Sequence, residues 1–147
     1  MELSALTVSS GIIDKKYVKK EESTTSKTNA PVGFPSPARD YFDGILDLNE
    51  LMVLNPVSTY FVKVEGHSMV NANILHNDIL VIDRATKPEN NKIVIACLDG
   101  ELIVKRLKIK GHEYWLYPEN DMLQAIKIES WMDFTIWGVV MWVIHKT

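Results

Sequence analysis

The stretch Lys92-Ile93-Val94-Ile95-Ala96-Cys97-Leu98 runs into Asp99-Gly100 and returns as Glu101-Leu102-Ile103-Val104-Lys105-Arg106-Leu107-Lys108-Ile109-Lys110. β-branched residues crowd the outgoing arm, and Asp-Gly tolerates the two positive-φ positions that a tight two-residue hairpin needs. Antiparallel strands are therefore expected at the centre of the chain. Further β-prone runs flank them. Tyr60-Phe61-Val62-Lys63-Val64 comes first, and Ile79-Leu80-Val81-Ile82-Asp83 follows the turn-like His76-Asn77-Asp78. Tyr114 to Tyr117 and Phe134 to Ile144 complete the set, with Gly138 marking a bulge or tight bend inside the last strand. The fold class expected is mainly β, a small sandwich or partly closed barrel.

At 147 residues the chain has room for one core plus an arm, and its composition, 46% hydrophobic and 24% charged, is that of an ordinary globular domain. Ser23-Thr24-Thr25-Ser26-Lys27-Thr28-Asn29 is polar and without apolar period, which predicts a flexible arm over residues 1–32. Gly33-Phe34-Pro35-Ser36-Pro37 then forbids helix and opens an ordered domain over 33–147. Between residues 38 and 54, apolar residues spaced loosely at three and four predict one or two helical turns that end before Asn55-Pro56.

Sixteen basic against nineteen acidic residues leave a formal charge of -3, which argues against sequence-independent binding to DNA or anionic membranes. Cys97 has no partner for an internal disulfide, which fits a reducing cytoplasm. The first 22 residues hold Lys15, Lys16, Lys19 and Lys20 but no apolar run of signal-peptide length, so neither export nor a membrane anchor is expected. His76, His112 and His145 lack metal-ligand spacing, and no P-loop or dinucleotide fingerprint occurs. Neither metal nor cofactor is expected.

Two residues stand out chemically. By the period-two rule Lys105 shares a face with Ile103, Leu107 and Ile109, while Arg106, Lys108 and Lys110 fall on the other. A buried amine that loses its proton near neutrality can act as a general base, whereas a lysine that snorkels past its apolar neighbours is inert. The pattern alone leaves both open. Ser68, in Glu65-Gly66-His67-Ser68-Met69, sits at a strand-to-turn junction where Gly66 permits close backbone approach. It can be an exposed nucleophile beside an oxyanion site, or the N-cap of a short turn from Met69 to Ile74. His67 points away from Ser68 on an extended chain and is incidental.

Read together, five blocks resemble a known family in order and spacing: Gly33-Phe34-Pro35-Ser36-Pro37-Ala38, Tyr60-Phe61-Val62-Lys63, Gly66-His67-Ser68-Met69, Asp78 to Asp83, and Asp99 to Lys105. They are similar to the UmuD-like members of the LexA-like self-cleaving serine peptidases, over about residues 33 to 147. The resemblance implies a mostly β peptidase domain with a Ser-Lys dyad, Ser68 as nucleophile and Lys105 as general base. It implies that the scissile bond is Val32–Gly33. It also implies an SOS-response role in which a RecA filament stimulates cleavage and the shortened form serves a UmuC-type translesion polymerase. Three positions depart from the family pattern: Val32 replaces Ala or Cys, His67 replaces an acidic residue, and Asn77 replaces a glycine, which Asn can imitate in left-handed backbone. The 32 residues before the scissile bond are too few for a helix-turn-helix domain, so neither a repressor role nor direct sequence-specific DNA binding is expected.

The run Val139-Val140-Met141-Trp142-Val143-Ile144 is apolar on both faces and predicts a homodimer, in agreement with the resemblance. A non-enzymatic β interaction module displaying Trp131, Phe134, Trp137 and Trp142 as a cluster is the rival reading, and it would ignore Ser68 and Lys105. A membrane signal peptidase uses a similar dyad, but it needs a spanning helix that the sequence does not offer.

Overall fold

The computed structural model describes Leu6–Thr7 and residues 44–147. Val32–Gly33, the boundary between arm and body, and the first part of the expected 38–54 helix lie outside the described residues. Helix α1 spans Leu48–Met52; the Asp47 side chain caps it by accepting the Asn49 N–H at 2.8 Å. It buries no residue and ends before Asn55-Pro56, as expected.

Among the described residues, eight antiparallel strands make one sheet. They are β1 Leu6–Thr7, β2 Thr59–Val64, β3 Ile79–Asp83, β4 Ile93–Leu98, β5 Glu101–Lys110, β6 Glu113–Tyr117, β7 Ile126–Lys127 and β8 Phe134–Ile144, in the order β1-β2-β3-β8-β4-β5-β6-β7. All six predicted strands are present within a residue of their expected limits, and the two-residue β1 and β7 are additions. The β4–β5 hairpin turns on Asp99 and Gly100, whose φ angles of 49° and 86° are those the Asp-Gly pair was expected to supply.

Strand β8 joins the halves of the sheet. Its first part, Phe134 to Val139, pairs with β4, and its second, Val139 to Ile144, pairs with β3. Both ladders slip by one residue, opposite Trp137 on the β4 side and opposite Met141 on the β3 side. Such bulges sharpen the local twist and let a long strand bend. Arg84 secures the first, donating from Nε to the Trp137 carbonyl at 2.9 Å while its guanidinium lies 4.7 Å from the Trp137 ring.

The bend gives the middle strands two buried faces. On one, Val62, Val64, Met69, Ile74, Leu80, Ile82, Ile95 and Val104 form a closed cluster, and β1 returns to contact β5, so this half is a partly closed barrel. On the other face, Val94, Ala96, Ile103, Leu107, Leu116 and Val139 pack beneath Ile126, Ile128, Phe134 and Ile136. The unbroken apolar run of β4 follows, since alternate residues feed different clusters.

At the rim, Asp83 ties β3 to the segment entering β2. Burial opposes its charge, but hydrogen bonds from the Ser58 and Thr86 hydroxyls, the Ala85 N–H and the Asn55 amide prevail and pull its pKa down to about 2.

Gly138 sits where β8 passes over β3. A Cβ there would collide with Cγ2 of Ile82, a fully buried side chain that is stiff at its β-branch. Gly138→Ala is therefore expected to cost about 1–3 kcal/mol. Urea unfolding of the full chain checks this; an unchanged midpoint would show that β8 can shift away from β3.

Candidate active site

Strand β2 ends at Val64, and Gly66, with φ 93°, turns the chain toward Ser68. A single 3-10 turn, Val70–Ala72, follows, and the left-handed Asn73 closes it. Met69 and Ile74 plug this segment into the barrel core, both essentially fully buried. The N-cap position of the turn falls on Met69 rather than on Ser68, and Met69 makes no side-chain cap. Ser68 itself is only 2% exposed.

A second segment straps the Ser68 turn down. The Glu119 N–H donates to the Ser68 carbonyl at 2.8 Å, and the Glu119 carbonyl accepts the Asn71 N–H at 2.8 Å. One residue on, the Asn120 amide donates to the His67 carbonyl at 2.8 Å, and Asn71 Nδ2 donates to Asp121 at 3.1 Å. The sequence reading missed this strap. Its trace in the sequence was Pro118-Glu119-Asn120-Asp121, a turn-rich tract directly after β6.

Lys105 lies in β5 between the buried Ile103 and Leu107 and is 3% exposed. Its side chain does not snorkel to water. Burial away from solvent pulls its pKa down from 10.5 to about 8, so a substantial fraction of the amine is neutral under mildly alkaline conditions. Its neighbours behave differently. Arg106 is half-buried, pairs with the Glu119 carboxylate and donates from Nη1 to the Asn91 carbonyl at 2.7 Å; Lys108 reaches the Asn91 side chain. Thus the residue beside Lys105 and the carbonyl of Ser68 are linked through one amino acid, Glu119.

The histidines are placed away from this link. His67 is exposed, its ring 5.9 Å from that of His76, and His76 accepts the Gly66 N–H through Nδ1 at 3.0 Å, which puts the proton of the neutral ring on Nε2. Asn77 takes φ 72°, the left-handed angle anticipated for it. His145, beyond β8, pairs with the buried Asp78 at 2.6 Å and so anchors the chain after β8 to the turn before β3. Among the described residues no group of three or more His, Cys, Asp or Glu is placed to hold a metal ion, and no helix is long and apolar enough to cross a membrane.

The aromatic residues read as a cluster have separate surroundings. Trp137 packs edge-on against Tyr60 at 5.0 Å, Phe134 meets Tyr114 at 6.4 Å, and Trp131 stands 75% exposed. Proximity in sequence grouped them, but along β8 Phe134 and Trp137 pack against different clusters, and Trp131 lies before the strand.

The profile of the Peptidase S24-like family matches residues 26–141. Among curated proteins, the chain is 43% identical over 115 residues to Protein ImpA of Salmonella typhimurium, a span of 78% of each chain. It is 35% identical over 119 residues to Protein MucA of Escherichia coli, 74% of each. To the LexA repressor of Aeromonas salmonicida it is 30% identical over 134 residues, 86% of this chain and 64% of the relative.

The buried amine has a stability signature with a definite sign. Between about pH 8 and 10.5 the unfolded chain holds a proton at Lys105 that the folded chain has released, so stability rises with pH across that window. Below it the burial cost, up to about 3 kcal/mol, is present in full. In a Ser68→Ala background, Lys105→Met is therefore expected to raise the urea midpoint at pH 7 and to abolish the rise at alkaline pH. Equal midpoints and parallel pH profiles for the two proteins would mean that the amine keeps its charge at no cost.

Proposed function

The chain belongs to the Peptidase S24-like family, and on that premise we propose that it is a UmuD-like serine peptidase that cuts its own Val32–Gly33 bond. The observation that carries this reading is a lysine sealed inside the sheet with its pKa pulled down to about 8, at the position the family resemblance assigns to the general base. A structural role rarely selects a buried cation, and among the described residues Lys105 has no carboxylate beside it.

In this mechanism the neutral Lys105 amine takes the proton of the Ser68 hydroxyl as its oxygen attacks the Val32 carbonyl. Main-chain N–H groups about Ser68 hold the developing oxyanion. The Lys105 ammonium then returns the proton to the departing Gly33 amine, and water hydrolyses the acyl ester on Ser68. The products are residues 1–32 as the flexible arm and the domain 33–147. The domain then acts as the subunit of an error-prone translesion polymerase of the UmuC type, with a RecA filament on single-stranded DNA stimulating the cut, in the SOS response of the cytoplasm. No metal or cofactor takes part.

The shortened protein acts as a homodimer. Met141, Trp142, Val143 and Ile144 at the end of β8, with Ile79 opposite Ile144 on β3, keep over a third of their surface open, which supports a second copy as cover. Sedimentation at micromolar concentration is expected to show a dimer, and Trp142→Glu to shift it toward monomer; a wild-type monomer before and after cleavage would overturn this part.

The catalytic reading is tested by intact mass after incubating wild type, Ser68→Ala, Lys105→Ala and Lys105→Arg from about pH 7 to about pH 10. Wild type is expected to yield fragments 1–32 and 33–147, faster as pH rises through about 8 and then level, because deprotonation of Lys105 supplies the base. The three variants are expected to stay intact. Arginine is the sharpest of them, since guanidinium keeps the charge and a donor but cannot give up its proton. Cleavage by folded Lys105→Arg at wild-type rate would remove the general base from the mechanism.

A further inference from the structure

Glu119 makes three contacts with two separate pieces of the molecule, the Ser68 turn and strand β5. Its N–H holds the Ser68 carbonyl at 2.8 Å, its carbonyl holds the Asn71 N–H at 2.8 Å, and its carboxylate grips Arg106, the residue after Lys105. The two main-chain bonds clasp the turn from opposite ends, as a short ladder would, and Asn120 adds a third at His67. Arg106 is held in turn at the Asn91 carbonyl, so the guanidinium spans the loop before β4 and the strap after β6.

From this geometry we propose that Glu119, through Arg106, is a positioning residue that fixes the Ser68 turn against the part of β5 that carries Lys105. The proposal rests on the reading of Ser68 and Lys105 as the dyad. The reason lies in how each group is anchored. Ser68 follows β2, whose sheet neighbours are β1 and β3, whereas Lys105 is on β5, between β4 and β6. No backbone ladder connects β2 to β5 directly. Met69 and Ile74 fix the depth of the turn through apolar packing, which is not directional. Directional restraint toward β5 comes from the strap, which leaves β6 just after the Arg106–Tyr117 rung of the β5–β6 ladder and is joined to β5 a second time by the Glu119–Arg106 side-chain pair, the joint that sets where Glu119 itself lies. A charge-assisted guanidinium–carboxylate bond has the geometric preference that such a joint needs.

Energetics separates this role from a merely stabilising one. Both side chains keep about a quarter of their surface in water, 26% for Arg106 and 28% for Glu119, and a pair so exposed adds little to global stability. Placement of reacting atoms is far less forgiving, since an ångström of displacement can slow a reaction by about a hundredfold.

The test uses the full chain, with self-cleavage at alkaline pH followed by intact mass and urea unfolding measured on each protein in a Ser68→Ala background. Glu119→Ala and Arg106→Ala are each expected to lower the plateau rate about 10- to 100-fold while moving the urea midpoint little. The double variant is expected to be no slower than either single one, because both cut the same link. Glu119→Gln, which keeps an acceptor for Arg106, should recover part of the rate. Glu113→Gln, which breaks the neighbouring Lys127–Glu113 pair at 2.9 Å, serves as the control and should cleave normally. A wild-type rate for Glu119→Ala would overturn the proposal. So would losses of rate that track losses of stability, or single effects that multiply in the double variant. If Lys105→Arg and Ser68→Ala remain inert while Glu119→Ala cleaves normally, the positioning role alone falls. Cleavage by Lys105→Arg would take down the dyad and the positioning role together.

Discussion

Two half-sheets meet on a single strand in this protein, and most of its properties follow from the demands on that strand. β8 must satisfy β4 along its first half and β3 along its second, with Val139 bonded in both ladders. A straight strand cannot curl the sheet so far within eleven residues. The bulges at Trp137 and Met141 supply the bend, and the missing side chain at Gly138 lets Ile82 fill the inside of it. Curling in turn gives β4 and β5 two buried faces, because β2 and β3 wrap toward one while β6, β7 and the following loop cover the other.

Double-sided burial is what makes Lys105 unusual. On a sheet with one wet face, a lysine in a strand would turn its ammonium to water. Here the residues on either side of it, Ile103 and Leu107, belong to a buried cluster, and the ammonium loses hydration without gaining a carboxylate among the described residues. Arg106 makes the contrast clear, since one residue further along the same strand it has a carboxylate partner and partial contact with water. The chain thus keeps one cation destabilised and satisfies the next. That contrast between neighbours is the arrangement expected where a basic amine has chemical work to do.

Two of the three departures from the family pattern, Asn77 and His67, fall where the fold tolerates them. Asn77 holds the left-handed angle that a glycine would otherwise take, with its N–H bonded to the Val64 carbonyl at 2.8 Å. His67 is exposed beside His76, so the loss of an acidic residue leaves no buried charge unpaired.

Local chemistry determined much of this protein without help from tertiary contacts. Positive φ at Asp99-Gly100, β-branched runs at Val62, Ile82 and Val94, and a glycine inside the last strand are decided by sterics within a few residues, and each is legible in the sequence. The five blocks that carry the family resemblance are equally local. Two-residue strands such as Ile126–Lys127 were not legible, because so short a run has no period and exists only by pairing with Trp115 and Leu116. Whether Lys105 is dry or wet also lay beyond the sequence, since period two tells which residues share a face but not what covers it. The strap from Glu119 to Ser68 was hidden for the same reason: the two are far apart in the chain, and only the fold of the sheet brings them within hydrogen-bond distance, whereas Arg106 meets Glu119 across the local β5–β6 hairpin.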